Sequence, residues 1–197
     1  MTAPKTLLEL AGADLSLPPL AESCLVLIDL QNEYRAGPLA LPAADAAIAR
    51  AAFLLARARQ NGSAIFHIAH KGRSGGLFDR EAARGAIVAS LAPLAGEPVI
   101  EKPLPNAFAG TDLQAQLAST GRKNIVLAGF MTHMCVSSTA RAALDLGLRT
   151  TIAADACATR DLPDGRGGAI PAAIIHEVTL AELSDRFAII TRSDALI

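Results

Sequence analysis

The chain has 197 residues, 51% of them apolar, and a formal net charge of −1. That length suits one domain over residues 1–197 with a substantial core, expected over about 23–191. The near-neutral balance excludes the basic surplus of a nucleic-acid binder or of a protein drawn to an anionic membrane, and no apolar run is long enough to span a bilayer.

The opening residues, Met1-Thr2-Ala3-Pro4-Lys5-Thr6, show neither the charged start nor the long apolar stretch of a signal peptide. The first expected strand is Leu25–Leu30, which delivers Asp29 at its end. A helix follows from about Pro42 to Gln60, with Pro42 in its first turn and Asn61-Gly62 as its stop. The second strand is Ala64–Ala69, and a glycine-rich loop follows at Lys71–Phe78. The third strand, Pro98–Lys102, ends on a lysine. Thr111 with Gln114 three residues on reads as a capping box for a helix over Asp112–Ser119, closed by Gly121. The fourth strand is Asn124–Gly129. Beyond it lie Cys135 and an Ala-rich helix ending at Gly147. The last elements are a strand at Thr150–Ala154, a loop at Thr159–Gly168, a helix over about Pro171–Leu183 and a strand at Phe187–Thr191.

Strand and helix alternate throughout, and the strands are continuously apolar. That pattern predicts an α/β fold, a six-stranded parallel sheet with helices on both faces. In such a sheet all strand C-termini emerge at one edge, where ligands bind. Asp29, Lys102 and Cys135 would therefore meet there. The loops at 71–78 and 159–168 belong to the same edge, as specificity elements or as plain surface connections.

Cys135 is expected where a strand turns into a helix. The unpaired amides of a helix start bias a thiol toward thiolate and could hold an oxyanion. The plainer alternative is that a lone cysteine in an apolar chain is a small buried hydrophobe. Three cysteines, 24, 135 and 157, cannot all pair and show no C-x-x-C spacing, which points to free thiols in a reducing cytoplasm. Cys24 and Cys157 read as packing, Asp155 as a turn cap and His176 as a structural histidine. With no Trp and only Tyr34 as tyrosine, platforms for stacking bases are scarce.

At this point the motifs match a known family. Leu27-Ile28-Asp29-Leu30-Gln31-Asn32, Lys102 with Asn106-Ala107-Phe108-Ala109-Gly110-Thr111, and Gly129-Phe130-Met131-Thr132-His133-Met134-Cys135-Val136 form one set. Asp155-Ala156-Cys157-Ala158-Thr159-Arg160-Asp161 and His176 complete it. In this order and spacing the chain resembles the isochorismatase-like cysteine hydrolases, which include nicotinamidases, N-carbamoylsarcosine amidases, ureidoacrylate amidases and streptothricin hydrolases. The resemblance runs from about residue 23 to 190. It implies a three-layer α/β/α fold with Rossmann-like strand order 3-2-1-4-5-6 and a triad on Asp29, Lys102 and Cys135. It also implies a non-proline cis peptide between Phe130 and Met131, which would aim the Met131 and Cys135 backbone amides at one oxyanion. Tyr34, His70, Asn106, Phe108, Phe130 and Met134, close to the triad, are assigned to the substrate pocket.

The departures from the family are informative too. Metal-dependent members carry an Asp-x-His pair after the second strand, where this chain has Ala69 and Lys71. His67 and His70 lie out of register, so no metal and no cofactor is expected. The expected activity is hydrolysis of a small amide, ureido or lactam-type C–N bond through an acyl-thioester on Cys135. Cleavage of a vinyl ether of the isochorismatase kind is the alternative, although isochorismatases typically lack the cysteine. A non-catalytic binding protein on the same fold is the third reading. The expected partners are a small-molecule substrate and further copies of the chain, a dimer or tetramer. Only 19% of residues are charged, so a monomer would expose a large apolar patch.

Overall fold

The computed structural model describes residues 3–196. Its centre is a six-stranded parallel sheet. In chain order the strands are β1 (Ser23–Ile28), β2 (Ala64–His70), β3 (Val99–Lys102), β4 (Asn124–Phe130), β5 (Arg149–Ala158) and β8 (Ile189–Thr191). The spatial order is β3-β2-β1-β4-β5-β8. Two short strands, β6 (Leu162–Pro163) inside the expected 159–168 loop and β7 (Ala169–Ile170) just beyond it, form an antiparallel hairpin.

Strand periodicity sorts the core into two layers, because successive side chains point to opposite faces. Leu25 and Leu27 of β1 pack with Ala47, Ala51, Leu54 and Leu55 of helix α2 (Ala44–Gln60). Cys24, Val26 and Ile28 face the other way. They meet Leu113 and Leu117 of α3 (Leu113–Ser119), Ala140 and Ala143 of α4 (Ser137–Asp145), and Leu183 of α5 (Ala172–Arg186). The buried residues of α2 recur every three or four positions, the stripe of a helix with one apolar face. A further short helix, α1 (Leu7–Leu10), was not expected. Thr6 and Glu9 form its capping box, and the Leu7 amide donates to Asp185 of α5.

Two end signals read differently in the structure. No capping box forms between Thr111 and Gln114. The Thr111 hydroxyl instead donates to the Ala107 carbonyl at 2.6 Å and accepts the Leu113 amide at 3.3 Å. Pro42 lies in the turn before α2, which starts at Ala44. β5 continues four residues past its expected end. Its pairing with β4 slips between Leu127 and Gly129, so the strand resumes beyond an irregularity. Asp155 sits there, half-buried, accepting from Arg50 at 2.8 Å and from the Ser193 amide at 2.7 Å. It ties α2 to the end of the chain and caps no turn within its own strand.

Candidate active site

β1 stops abruptly at Ile28. Asp29 takes the left-handed backbone conformation (φ 52°), which aspartate tolerates better than most residues. Its amide still donates to Ile68 on β2, and its carbonyl accepts the Gln31 amide at 2.8 Å. This turn leaves the Asp29 side chain fully buried at the strand ends. The neighbouring strand must come unusually close. Gly129 on β4 is the register partner of Ile28, and a Cβ built on it would lie 1.9 Å from the Ile28 carbonyl oxygen. Only glycine fits there.

Lys102 ends β3, with β2 between it and β1. Its side chain crosses that gap, fully buried, to place Nζ 2.7 Å from Asp29 Oδ2. Neither Asp29 oxygen has an aligned hydrogen-bond donor. Charge more than a directed hydrogen bond holds this pair. The same ammonium lies 3.3 Å from Cys135 Sγ, 3.1 Å from the Leu104 carbonyl and 3.4 Å from His70 Nδ1. Asp29 and Cys135, distant from each other in sequence, thus converge on the one buried nitrogen of Lys102.

Cys135 is 3% exposed. It lies within a π-type turn, Thr132–Val136, that runs straight into α4, and so not at a plain helix start. Such turns carry one extra residue per hydrogen-bonded loop and often occur at functional sites. The Met131 carbonyl accepts the amides of Met134 and Val136 and skips that of Cys135 between them. The Phe130–Met131 peptide bond is cis.

The electrostatics differ from the expectation of a resting thiolate. Burial first, and then the Asp29 charge, push the Cys135 thiol up to about 12, with Lys102 opposing. Burial likewise raises the Asp29 carboxyl above its usual range, against the pull of Lys102. At rest the sulfur therefore holds its proton. A thiolate needs Asp29 to accept that proton while Lys102 balances the charge. Burial and the Lys102 charge also hold His70 neutral, lowering it to about 4.

The other expected pocket residues divide. Tyr34 and Phe130 are buried together, ring centroids 5.4 Å apart and edge-on. His70 contacts Lys102. Met131 is nearly buried, whereas Met134 is 37% exposed on the outer side of the turn. Asn106 is half-buried, and its Oδ1 accepts the Phe108 amide at 2.9 Å. That loop is anchored on α4, where Thr139 accepts the Ala107 amide. Phe108 packs against the core on that side. Sequence reasoning missed two residues. Phe78 stacks on both Tyr34 and His70, at 5.2 and 4.9 Å. Gln31 is fully buried, and its amide clamps the His70 backbone at both N–H and C=O. The signal for Phe78 was a lone aromatic closing the glycine-rich loop. Gln31 lay in the quoted motif without a role.

His67 contacts Glu97 at 2.9 Å, and Lys71 pairs with Glu101 at 2.7 Å. Among the described residues no three His, Cys, Asp or Glu side chains group as metal ligands would. His176 bonds Thr132 of the π turn at 2.8 Å, a structural role. Cys24 and Cys157 are buried free thiols, both raised by burial.

The family model described as the isochorismatase domain matches residues 23–195. The chain belongs to the isochorismatase family. It is 36% identical to the secreted isochorismatase effector of Verticillium dahliae, over 91% of this chain and 94% of that protein. It is 32% identical to a streptothricin hydrolase of Streptomyces noursei, over 87% of this chain and 63% of that protein. The crystal structure of an isochorismatase from Pseudomonas putida superposes with a TM-score of 0.95 at 43% identity, covering 99% of this chain and all of that one. The family is one of hydrolases and includes amidases, among them maleamate amidohydrolase of Pseudomonas putida and N-carbamoylsarcosine amidase of Thermoplasma acidophilum. The parallel sheet, its strand order and the enclosing helices are those of the isochorismatase-like hydrolases. No helix among the described residues is long and apolar enough to cross a membrane.

Proposed function

We propose that the chain is a cysteine amidohydrolase that opens a small amide, ureido or lactam-type C–N bond without a metal. The observation that carries this reading is the single buried ammonium of Lys102, 2.7 Å from Asp29 and 3.3 Å from Cys135. The steps follow from that arrangement. Asp29 accepts the thiol proton as sulfur attacks the amide carbon. The oxyanion rests on the Met131 and Cys135 backbone amides. Asp29 then hands its proton to the nitrogen, the C–N bond breaks and the amine leaves. Water, deprotonated by Asp29, attacks the thioester, and the acid and the thiol are regenerated. Lys102, beside both groups, offsets the negative charge as it passes between sulfur and carboxylate. Free thiols at all three cysteines fit a reducing cytoplasm.

The second reading is vinyl ether cleavage, favoured by the isochorismatase names of similar proteins. A panel of small amides and ureido compounds, read by ammonia release, together with a vinyl ether, read by loss of the enol ether, separates the two. Amide turnover that vanishes in Cys135→Ala supports the proposal. Ether cleavage that survives in Cys135→Ala overturns it.

A further inference from the structure

His70 and Lys102 are register partners at the ends of β2 and β3, so their side chains leave the sheet on the same face. Their backbones are tied together, since the Lys71 amide donates to the Lys102 carbonyl at 2.9 Å. Gln31 accepts the His70 N–H at 2.8 Å and donates to its C=O at 3.0 Å. The imidazole stands edge-on against Phe78, ring centroids 4.9 Å apart. Backbone and ring are thus both held in place.

An ammonium has three N–H groups and accepts nothing. Lys102 Nζ has three hydrogen-bond acceptors around it: the Leu104 carbonyl at 3.1 Å, Cys135 Sγ at 3.3 Å and His70 Nδ1 at 3.4 Å. Asp29, at 2.7 Å, is held by charge without an aligned donor. His70 Nδ1 must therefore present its lone pair to Lys102, and the ring proton sits on Nε2. A protonated ring would set a second cation against the ammonium, so the imidazole stays neutral. The three N–H directions of a tetrahedral nitrogen are fixed relative to one another. With Leu104 and His70 taking two, the remaining one points at the sulfur. Without the His70 lone pair, the ammonium can rotate away from Cys135 toward Asp29.

We propose that His70 is a positioning residue, whose Nδ1 lone pair holds one N–H of Lys102 so that another is aimed at the sulfur of Cys135. It acts on the nucleophile through Lys102. This rests on the reading of Cys135 as the nucleophile and adds the group that orients its ammonium.

The test exploits the two ring nitrogens. An asparagine amide overlies Nδ1 of a histidine, whereas a glutamine amide overlies Nε2. Alkylation of Cys135 by iodoacetamide, in which sulfur displaces iodide and forms a thioether, is followed by peptide mass spectrometry across a pH series. His70→Phe keeps a ring beside Phe78 and removes the acceptor. Its rate near pH 7 should fall about tenfold, the loss of one hydrogen bond to a charged group, and its pH profile should move to higher pH. His70→Asn should keep the rate within about threefold of the wild type, and His70→Gln should fall with His70→Phe. A wild-type profile in His70→Phe overturns the proposal. So does equal slowing in all three variants, which marks a structural role, or a faster His70→Gln than His70→Asn, which makes Nε2 the working atom. The second measurement needs no variant and no reactive sulfur. A long-range nitrogen–proton NMR correlation spectrum of the wild-type protein, which has only four histidines, reads the tautomer of each. His70 should carry its proton on Nε2 near pH 7. A proton on Nδ1 overturns the proposal even if no variant folds. If the wild-type Cys135 is not labelled at all, the nucleophile reading fails, and the grip of His70 on Lys102 is decided by this tautomer.

Discussion

Replacing Lys102 by Met leaves the Asp29 carboxylate in a place without water. Both side chains of the pair are fully buried, and the nitrogen is 2.7 Å from the oxygen. Removing one partner of such a pair typically costs about 3–5 kcal/mol, because the other charge stays buried and uncompensated. Asp29 can escape only by taking a proton. Its folded pKa is already raised by burial, and loss of Lys102 raises it further. A carboxyl raised in the folded state binds more protons folded than unfolded, so stability falls as pH rises. The loss begins near the unfolded value of about 3.9 and grows by about 1.4 kcal/mol per pH unit until the folded value is passed. Urea unfolding at pH 5 and pH 8 reads this directly. Lys102→Met should lose about 3–5 kcal/mol at pH 8 and recover part of it at pH 5. Adding Asp29→Asn removes the stranded charge and should restore stability at pH 8 while leaving the protein inactive. In the single variant Cys135 loses the ammonium that stabilises its thiolate, so alkylation near pH 7 should slow and turnover should fall by at least about 100-fold. A single variant as stable as the wild type at pH 8, with a flat pH profile, would refute the reasoning.

Four further outcomes are expected. Cys135→Ala should abolish amide turnover and shift the thermal midpoint only modestly, since one small buried atom is lost; turnover at the wild-type rate on an identified substrate would remove the nucleophile. Dialysis against a chelator should leave the rate unchanged, and stoichiometric zinc or iron whose removal stops turnover would contradict this. Glu97 is held down to about 2, chiefly by its hydrogen bonds from Arg59, so it stabilises the fold above about 4.5 and the benefit is lost as pH falls toward 2. Glu97→Gln should flatten that acid limb of the urea-midpoint profile, and an unchanged limb would show that other carboxyls set it. The protein should form a homo-oligomer, since Ile174 and Val178 stand 51% and 60% exposed on one side of α5. Light scattering at the 20.3 kDa of one chain over a wide concentration range would refute it.

Strands were the most legible part of the fold. Runs such as Leu25–Ile28 and Ile125–Ala128 are apolar on both faces, and only a sheet covered on both sides buries them. Helix ends were less legible. The Thr111 hydroxyl bonds the Ala107 carbonyl and the Leu113 amide in place of the expected capping partner Gln114. The grouping of Asp29, Lys102 and Cys135 followed from strand ends and from the resemblance, but how Lys102 crosses β2 did not. The thiol's protonation was misjudged for a similar reason. Local position favours a thiolate, whereas burial, a property of the whole fold, opposes it more strongly. Gln31 and Phe78 stayed hidden because their partners lie in other segments, at His70 and Tyr34.

The reach of Lys102 across β2 joins the chemistry to the margin of the sheet. β3 is a four-residue edge strand with alternate residues exposed, and it pairs only with β2. Such strands open at lower free energy than the centre of a domain. When β3 frays, the ammonium leaves while Asp29 and Cys135 remain on their central supports. On warming, the protein therefore becomes inert before it unfolds, and hydrogen exchange at the amides of Ile100 and Lys102 tracks the fraction of molecules able to react.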